Sequence, residues 1–164
     1  MLRLALLLSA TSLAAASPQA LLTSLLKTKI TAAELPIGFS NARAEKQAVS
    51  ANAHKHHAVG LVDVALEGPD SVDAFAWIVF PKHANAVADL DNPTVGNGVK
   101  VVDVVPGIRT SLILTGTLNG KTITDAAAVD GNVLVQGVVV SKTVRTPTAI
   151  ILLKAAIAHL LRLR

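Results

Sequence analysis

The spacing of apolar residues changes several times along this chain, and each change marks an element. The first block is continuous. A single cation at Arg3 precedes an apolar run from Leu4 to Ala16, too short for a permanent membrane-spanning helix and built like a secretory signal peptide. Ala14 and Ala16 put small residues at the third and first positions before a cut, so residues 1–16 are expected to be removed and Ser17 to become the N-terminus. Beyond the cut the period is helical. Ser17 is a good cap and Pro18 suits a first turn, and Leu21, Leu22, Leu25 and Leu26 predict a helix from Pro18 to about Thr28 with one apolar edge. Leu35-Pro36-Ile37-Gly38-Phe39 interrupts regular structure, and the polar stretch from Ser40 to Lys55 reads as a flexible loop or a frayed helix.

From Ala58 the period becomes two. Val62, Val64 and Leu66 alternate with Asp63, Ala65 and Glu67, and Gly68-Pro69-Asp70-Ser71 turns the chain into Val72 to Phe80, which predicts a β-hairpin. Pro81 closes the second strand. A short helix from Lys82 to about Leu90 follows, with Ala84, Val87 and Ala88 as a narrow apolar face. After the loop from Asp91 to Gly98, Val99 to Val105 reads as a strand ended by Pro106-Gly107. Thr110 to Leu118 and Lys121 to Val129 flank Asn119-Gly120, a dipeptide that accepts positive φ at both centres of a type I′ turn. Asp130-Gly131-Asn132 then reverses the chain again into Val133 to Ser141. A helix from Thr148 to Arg164 ends the sequence, with Leu153, Ala156, Ile157, Leu160 and Leu161 on one side and Lys154, Ala158, His159 and Arg162 on the other.

This order predicts a single α+β domain over residues 17–164: a mainly antiparallel sheet of about six strands with helices packed on one face. The hairpin, helix and strand in its middle resemble part of a ferredoxin-like fold. That resemblance is architectural, covers under half of the domain and has no sequence motif behind it, so it implies no function.

Composition narrows the picture. A domain of this size buries about 70% of the surface of its extended chain, enough for a core without staples, and there is no cysteine to make any. That removes a lipid-attachment site, a thiol nucleophile and a thiolate metal site. The chain has three phenylalanines, one tryptophan and no tyrosine, too few stacking platforms for a carbohydrate or single-stranded nucleic acid ligand. The net charge is +4, unevenly placed: acids dominate from Leu61 to Asp130, and residues 131–164 carry bases and no acid. Such an excess lacks the dense basic stripe of a nucleic-acid reader.

The densest group of metal-ligand side chains is His54-Lys55-His56-His57. If the first strand begins early, His54 and His56 point to one side roughly 7 Å apart by two strand rises, near enough to share zinc, copper or nickel with a third ligand. Candidates for that partner are His57, His83, Glu45, Asp89 and Asp91. Set against this is a solvated polar approach to a strand, or a pH-sensing role for the same histidines.

Other groupings carry less. Ser24-Leu25-Leu26-Lys27 matches the serine-x-x-lysine string of penicillin-binding proteins and serine β-lactamases, but no Ser-Asp-Asn follows and Lys142-Thr143-Val144 departs from Lys-Thr-Gly. Asp89, Asp91, Asn92 and Asn97 supply oxygen ligands without the closing acid of a calcium loop, and turn chemistry explains them. Phe75, Trp77 and Val79 share a strand face that fits core packing better than an apolar pocket. The final helix is basic and amphipathic, as a bilayer-surface helix is, yet its apolar arc is what closing a sheet requires; Lys154 rules it out as a transmembrane anchor. Gly96-Asn97-Gly98 lacks the third glycine of a dinucleotide loop.

The residues therefore predict a soluble exported domain, periplasmic or extracellular. It acts as a small non-catalytic binding or interaction module for a protein or small-molecule partner, without nucleic acid, cofactor or membrane anchor. The competing expectations are a metal-binding protein using His54, His56 and His57 and, third, an enzyme whose site is assembled from dispersed residues.

Overall fold

The computed structural model describes residues 16–70, 72–94 and 97–164. The segment expected to be a signal peptide, residues 1–16, lies outside them apart from Ala16. Helix α1 (Pro18–Lys27) leads through a 3₁₀ turn (Ala32–Glu34) to strand β1 (Ser40–Gln47) and the short helix α2 (Ala51–Lys55). The hairpin β2 (Gly60–Glu67) and β3 (Val72–Val79) precedes α3 (His83–Leu90). Strands β4 (Asn97–Asp103), β5 (Ser111–Leu118), β6 (Lys121–Asp130) and β7 (Val133–Ser141) follow, and α4 (Thr146–Arg162) ends the fold.

The strands form one antiparallel sheet in the order β1-β2-β3-β7-β6-β5-β4. The hairpins form as their turns dictate, with φ of 51° at Asn119 and 75° at Gly120. Ser17 caps α1 by accepting the Ala20 N–H at 3.2 Å.

The sheet has seven strands, one more than expected, because Ser40–Gln47 pairs with β2 along the edge of the sheet. Its residues are almost all exposed or half-buried, so no alternation of apolar and polar residues announces it; only Ala42 and Ala44 pack toward the core. The ferredoxin-like expectation fails at β4. That strand lies at the far edge, paired to β5 and separated from the β2–β3 hairpin by three strands.

Helices cover both faces rather than one. Phe75, Trp77 and Val79 of β3 pack with α1 and α4, whereas Ile78 and Phe80 pack with Ala53 of α2 and with Ala86 and Leu90 of α3. A strand buried on both sides reads as a continuous apolar run, which is how Ala74 to Phe80 is written. Helix α3 turns Ala86, Asp89 and Leu90 inward and leaves Ala84 exposed, so its buried face differs from the one expected.

Helix α4 lies against β7 where Gly137 leaves room. A Cβ there would collide with the α4 backbone at Ala149 O and Leu153 N. Leu152, Leu153, Ala156 and Leu160 are fully buried beneath it. The wheel expected for this helix is rotated at its end: His159 is 1% exposed and Leu161 57%. His159 turns inward because it has polar and aromatic partners there, Glu34 and Trp77.

Candidate functional site

On the face covered by α2 and α3, the sheet and the two helices enclose an open pocket of about 310 Å³. Its floor comes from five strands. Leu61 of β2, Ile78 of β3, Leu134 and Val138 of β7, Ala127 of β6 and Leu114 of β5 make it apolar, and Asp125 and Gln136 interrupt it. Ser50 and Asn52 line it from α2 and its cap, Asp89 and Leu90 from α3, and Pro93 and Thr94 from the loop beyond α3.

The roof is tied by Asn52. Its side-chain amide donates to Asp89 Oδ1 at 2.6 Å and to the Asn92 carbonyl at 2.8 Å, so α2 and the end of α3 are held together over the cavity. Ser50 caps α2 by accepting the Ala53 N–H at 3.1 Å.

Asp125 is the chemically unusual member. It stands on β6, next to the central strand, with no exposed surface. Gln136 on the adjacent strand donates its Nε2 to Asp125 Oδ2 at 2.8 Å, and Oδ1 is buried with no hydrogen-bond partner. Burial pushes its carboxyl up to about 7, against the lowering effect of the Gln136 bond. Near neutral pH the group thus exists in both forms, and in each Oδ1 lacks a protein partner. Asp89 is also raised by burial, opposed by the neighbouring His56 and by the Asn52 bond.

A second polar cluster lies on the opposite face. His159 Nδ1 is 2.7 Å from Glu34 Oε1, Arg162 Nη2 is 2.9 Å from the same oxygen, and the His159 ring stacks at a tilt on Trp77 with centroids 5.3 Å apart. Trp77 donates its indole N–H to the Ala156 carbonyl at 3.0 Å. This cluster joins the 3₁₀ turn to α4; its geometry is that of a structural clamp.

The histidines expected as metal ligands lie just outside the pocket. Residues 51–55 are helical, so His54 and His56 do not share a strand face, and a helix sets positions two apart on different sides. His54 and His57 are exposed, His57 with φ of 65°; His56 follows α2 with Nε2 buried and unpartnered. Among the described residues no three His, Asp or Glu side chains converge as a metal-ligating group. Of the expected third ligands, His83 contacts the Gly131 carbonyl at 2.6 Å and Asp89 serves Asn52.

The loop residues Asn92 and Asn97 also find local uses. Asn92 donates to the Ala88 carbonyl at 2.9 Å, and the Asn97 carbonyl accepts from Thr117. Ser24 and Lys27 lie on α1, whose Ser24 carbonyl accepts the Thr28 N–H. Phe75, Trp77 and Val79 are core, as expected. Among the described residues no helix is long and apolar enough to cross a membrane.

The residues that matter in the pocket, Asp125, Gln136 and Asn52, were not among the expected site residues. One signal for Asp125 was present: it shares a strand face with Ile123 and Ala127, a lone acid on an apolar stripe.

No protein-family model matches the chain, and no curated protein sequence matches it. Among solved structures, the fold is similar to the crystal structure of the extracellular domain of PknH from Mycobacterium tuberculosis, with a TM-score of 0.50 and 10% sequence identity. The likeness covers 76% of this chain and 84% of that one, and at this identity it shows a shared fold alone.

Proposed function

We propose that this chain is an exported, non-catalytic binding domain that holds a small organic molecule in the pocket beneath α2 and α3. The observation that carries the reading is Asp125 Oδ1, a buried carboxylate oxygen with no partner at the floor of an apolar cavity. Buried polar atoms without partners are rare in folded proteins, and a concave apolar site with a few polar groups is what small ligands use. Binding is favoured over catalysis because the pocket's hydroxyls are not paired with a base: Ser50 Oγ is engaged as a helix cap. The apolar run with small residues at its end supports export, and the fold shared with an extracellular domain agrees with it.

A thermal-shift screen of small organic fragments tests this reading, run on the wild-type chain and on Thr94→Trp, which places a large ring at the exposed rim of the pocket. Fragments that raise the wild-type Tm and lose that effect in the variant support it. Fragments that act equally on both, or none that act, contradict it.

A further inference from the structure

The pocket described above has a charge inventory that selects its occupant. Among the described residues its lining contains two carboxylates, Asp89 and Asp125, and no lysine, arginine or histidine. Asp89 already accepts from Asn52 and has the His56 ring beside it, so it is served by the protein. Asp125 is not. Gln136 supplies one donor to Oδ2, and Oδ1, on a side chain that lines the cavity, has none. An ionised carboxylate only accepts, and leaving it buried without a donor is costly. An anionic ligand would add a like charge to two acids.

We infer, building on the pocket reading, that its ligand is a small amine in its ammonium form. The ammonium donates to Asp125 Oδ1, and the ligand's apolar body lies against Leu61, Ile78, Leu114 and Leu134. The two halves match the wall: charged donor to unpartnered acceptor at the floor, hydrocarbon to aliphatic side chains around it. A cavity of about 310 Å³ sits at the small end of ligand sites, which suits one short chain or one ring.

The test is calorimetric titration of the whole chain with three probes of one shape, heptylamine, 1-heptanol and heptanoate, at pH 8, repeated on Asp125→Asn. The amine is expected to bind roughly ten- to a hundredfold more tightly than the alcohol, the worth of one charge-assisted hydrogen bond. In Asp125→Asn that preference collapses while the alcohol's affinity stays within about threefold. Comparison of amine with alcohol on the unaltered chain decides the matter even if the variant fails to fold. Equal binding of amine and alcohol, or preference for heptanoate, overturns the amine and leaves the pocket standing. Absence of binding by all three at millimolar concentration overturns the pocket reading and the amine with it.

Discussion

Glu34 and His159 meet at 2.7 Å across 125 positions of sequence, and with Arg162 they fasten the 3₁₀ turn to the last helix. Burial alone would raise the Glu34 carboxyl, but the Thr31 backbone and hydroxyl donors and His159 outweigh it and hold the group down at about 2, against an ordinary value of 4.5. A lowered carboxyl stabilises the fold fully above the unfolded value, and that stability is lost as pH falls from about 4.5 toward about 2. Glu34→Gln is expected to cost about 1.5–3 kcal/mol at pH 7, the range for hydrogen bonds to a charged group. Urea unfolding of both proteins across pH 2 to 7 checks this. The gap between them should narrow below pH 4; a constant gap, or none, contradicts the clamp.

Asp125 predicts the opposite slope. Its carboxyl is raised from 3.8 to about 7, so the folded state holds a proton that the unfolded state releases, and stability falls as pH rises from about 4 to about 7. Asp89 lines the same pocket beside His56 and titrates in its own right, so the contribution of Asp125 is read as a difference between proteins. Asp125→Asn is expected to be more stable than wild type by about 2–4 kcal/mol at pH 8 and nearly equal to it at pH 4. A residue that destabilises its own fold at neutral pH fits a binding role better than a structural one. Equal stability at both pH values would contradict this.

Gly137 tests how α4 is seated. A methyl group there meets the backbone of Ala149 and Leu153 rather than a movable side chain, so Gly137→Ala must displace the helix. The expected cost is about 3 kcal/mol or more, at the upper end for overpacking. The single tryptophan, Trp77, is fully buried against α4 and serves as the reporter. Its emission should shift to longer wavelength in the variant, with a lower Tm. An unchanged spectrum and Tm would show that α4 sits farther from β7 than described.

The histidines give a fourth expectation. His54 and His56 lie on different sides of a helical turn, and no third ligand joins them among the described residues. Titration with zinc, copper or nickel is therefore expected to show weak binding without one-to-one stoichiometry. Submicromolar one-to-one binding that disappears on His54→Ala with His56→Ala would contradict this and support a metal site at these histidines.

What the sequence made legible was local. The Asn119-Gly120 and Asp130-Gly131 turns, the β2–β3 hairpin and the capped α1 all follow from residues within a few positions of one another. Less local features were hidden for physical reasons. Edge strand β1 is polar on most positions, so Ser40–Gln47 carries no period, and α2 is too short to establish one. His159 looked like part of a polar face because Glu34, its partner, is remote in sequence. Asp125 and Gln136 become a site only through the β6–β7 register, and Asn52 only because α3 lies beside it. Histidines drew attention by their density, whereas the pocket's chemistry rests on a single acid in an apolar strand.

The claim that a small molecule occupies the cavity beneath α2 and α3 is tested most directly by mapping amide chemical-shift changes when heptylamine, 1-heptanol and heptanoate are each added to the isotope-labelled chain. For a probe that binds, the largest changes are expected to cluster at Asn52, Asp89, Leu114, Asp125 and Gln136 and to saturate together. Changes confined to the opposite face, around Glu34 and His159, or no saturable change with any of the three, would contradict it.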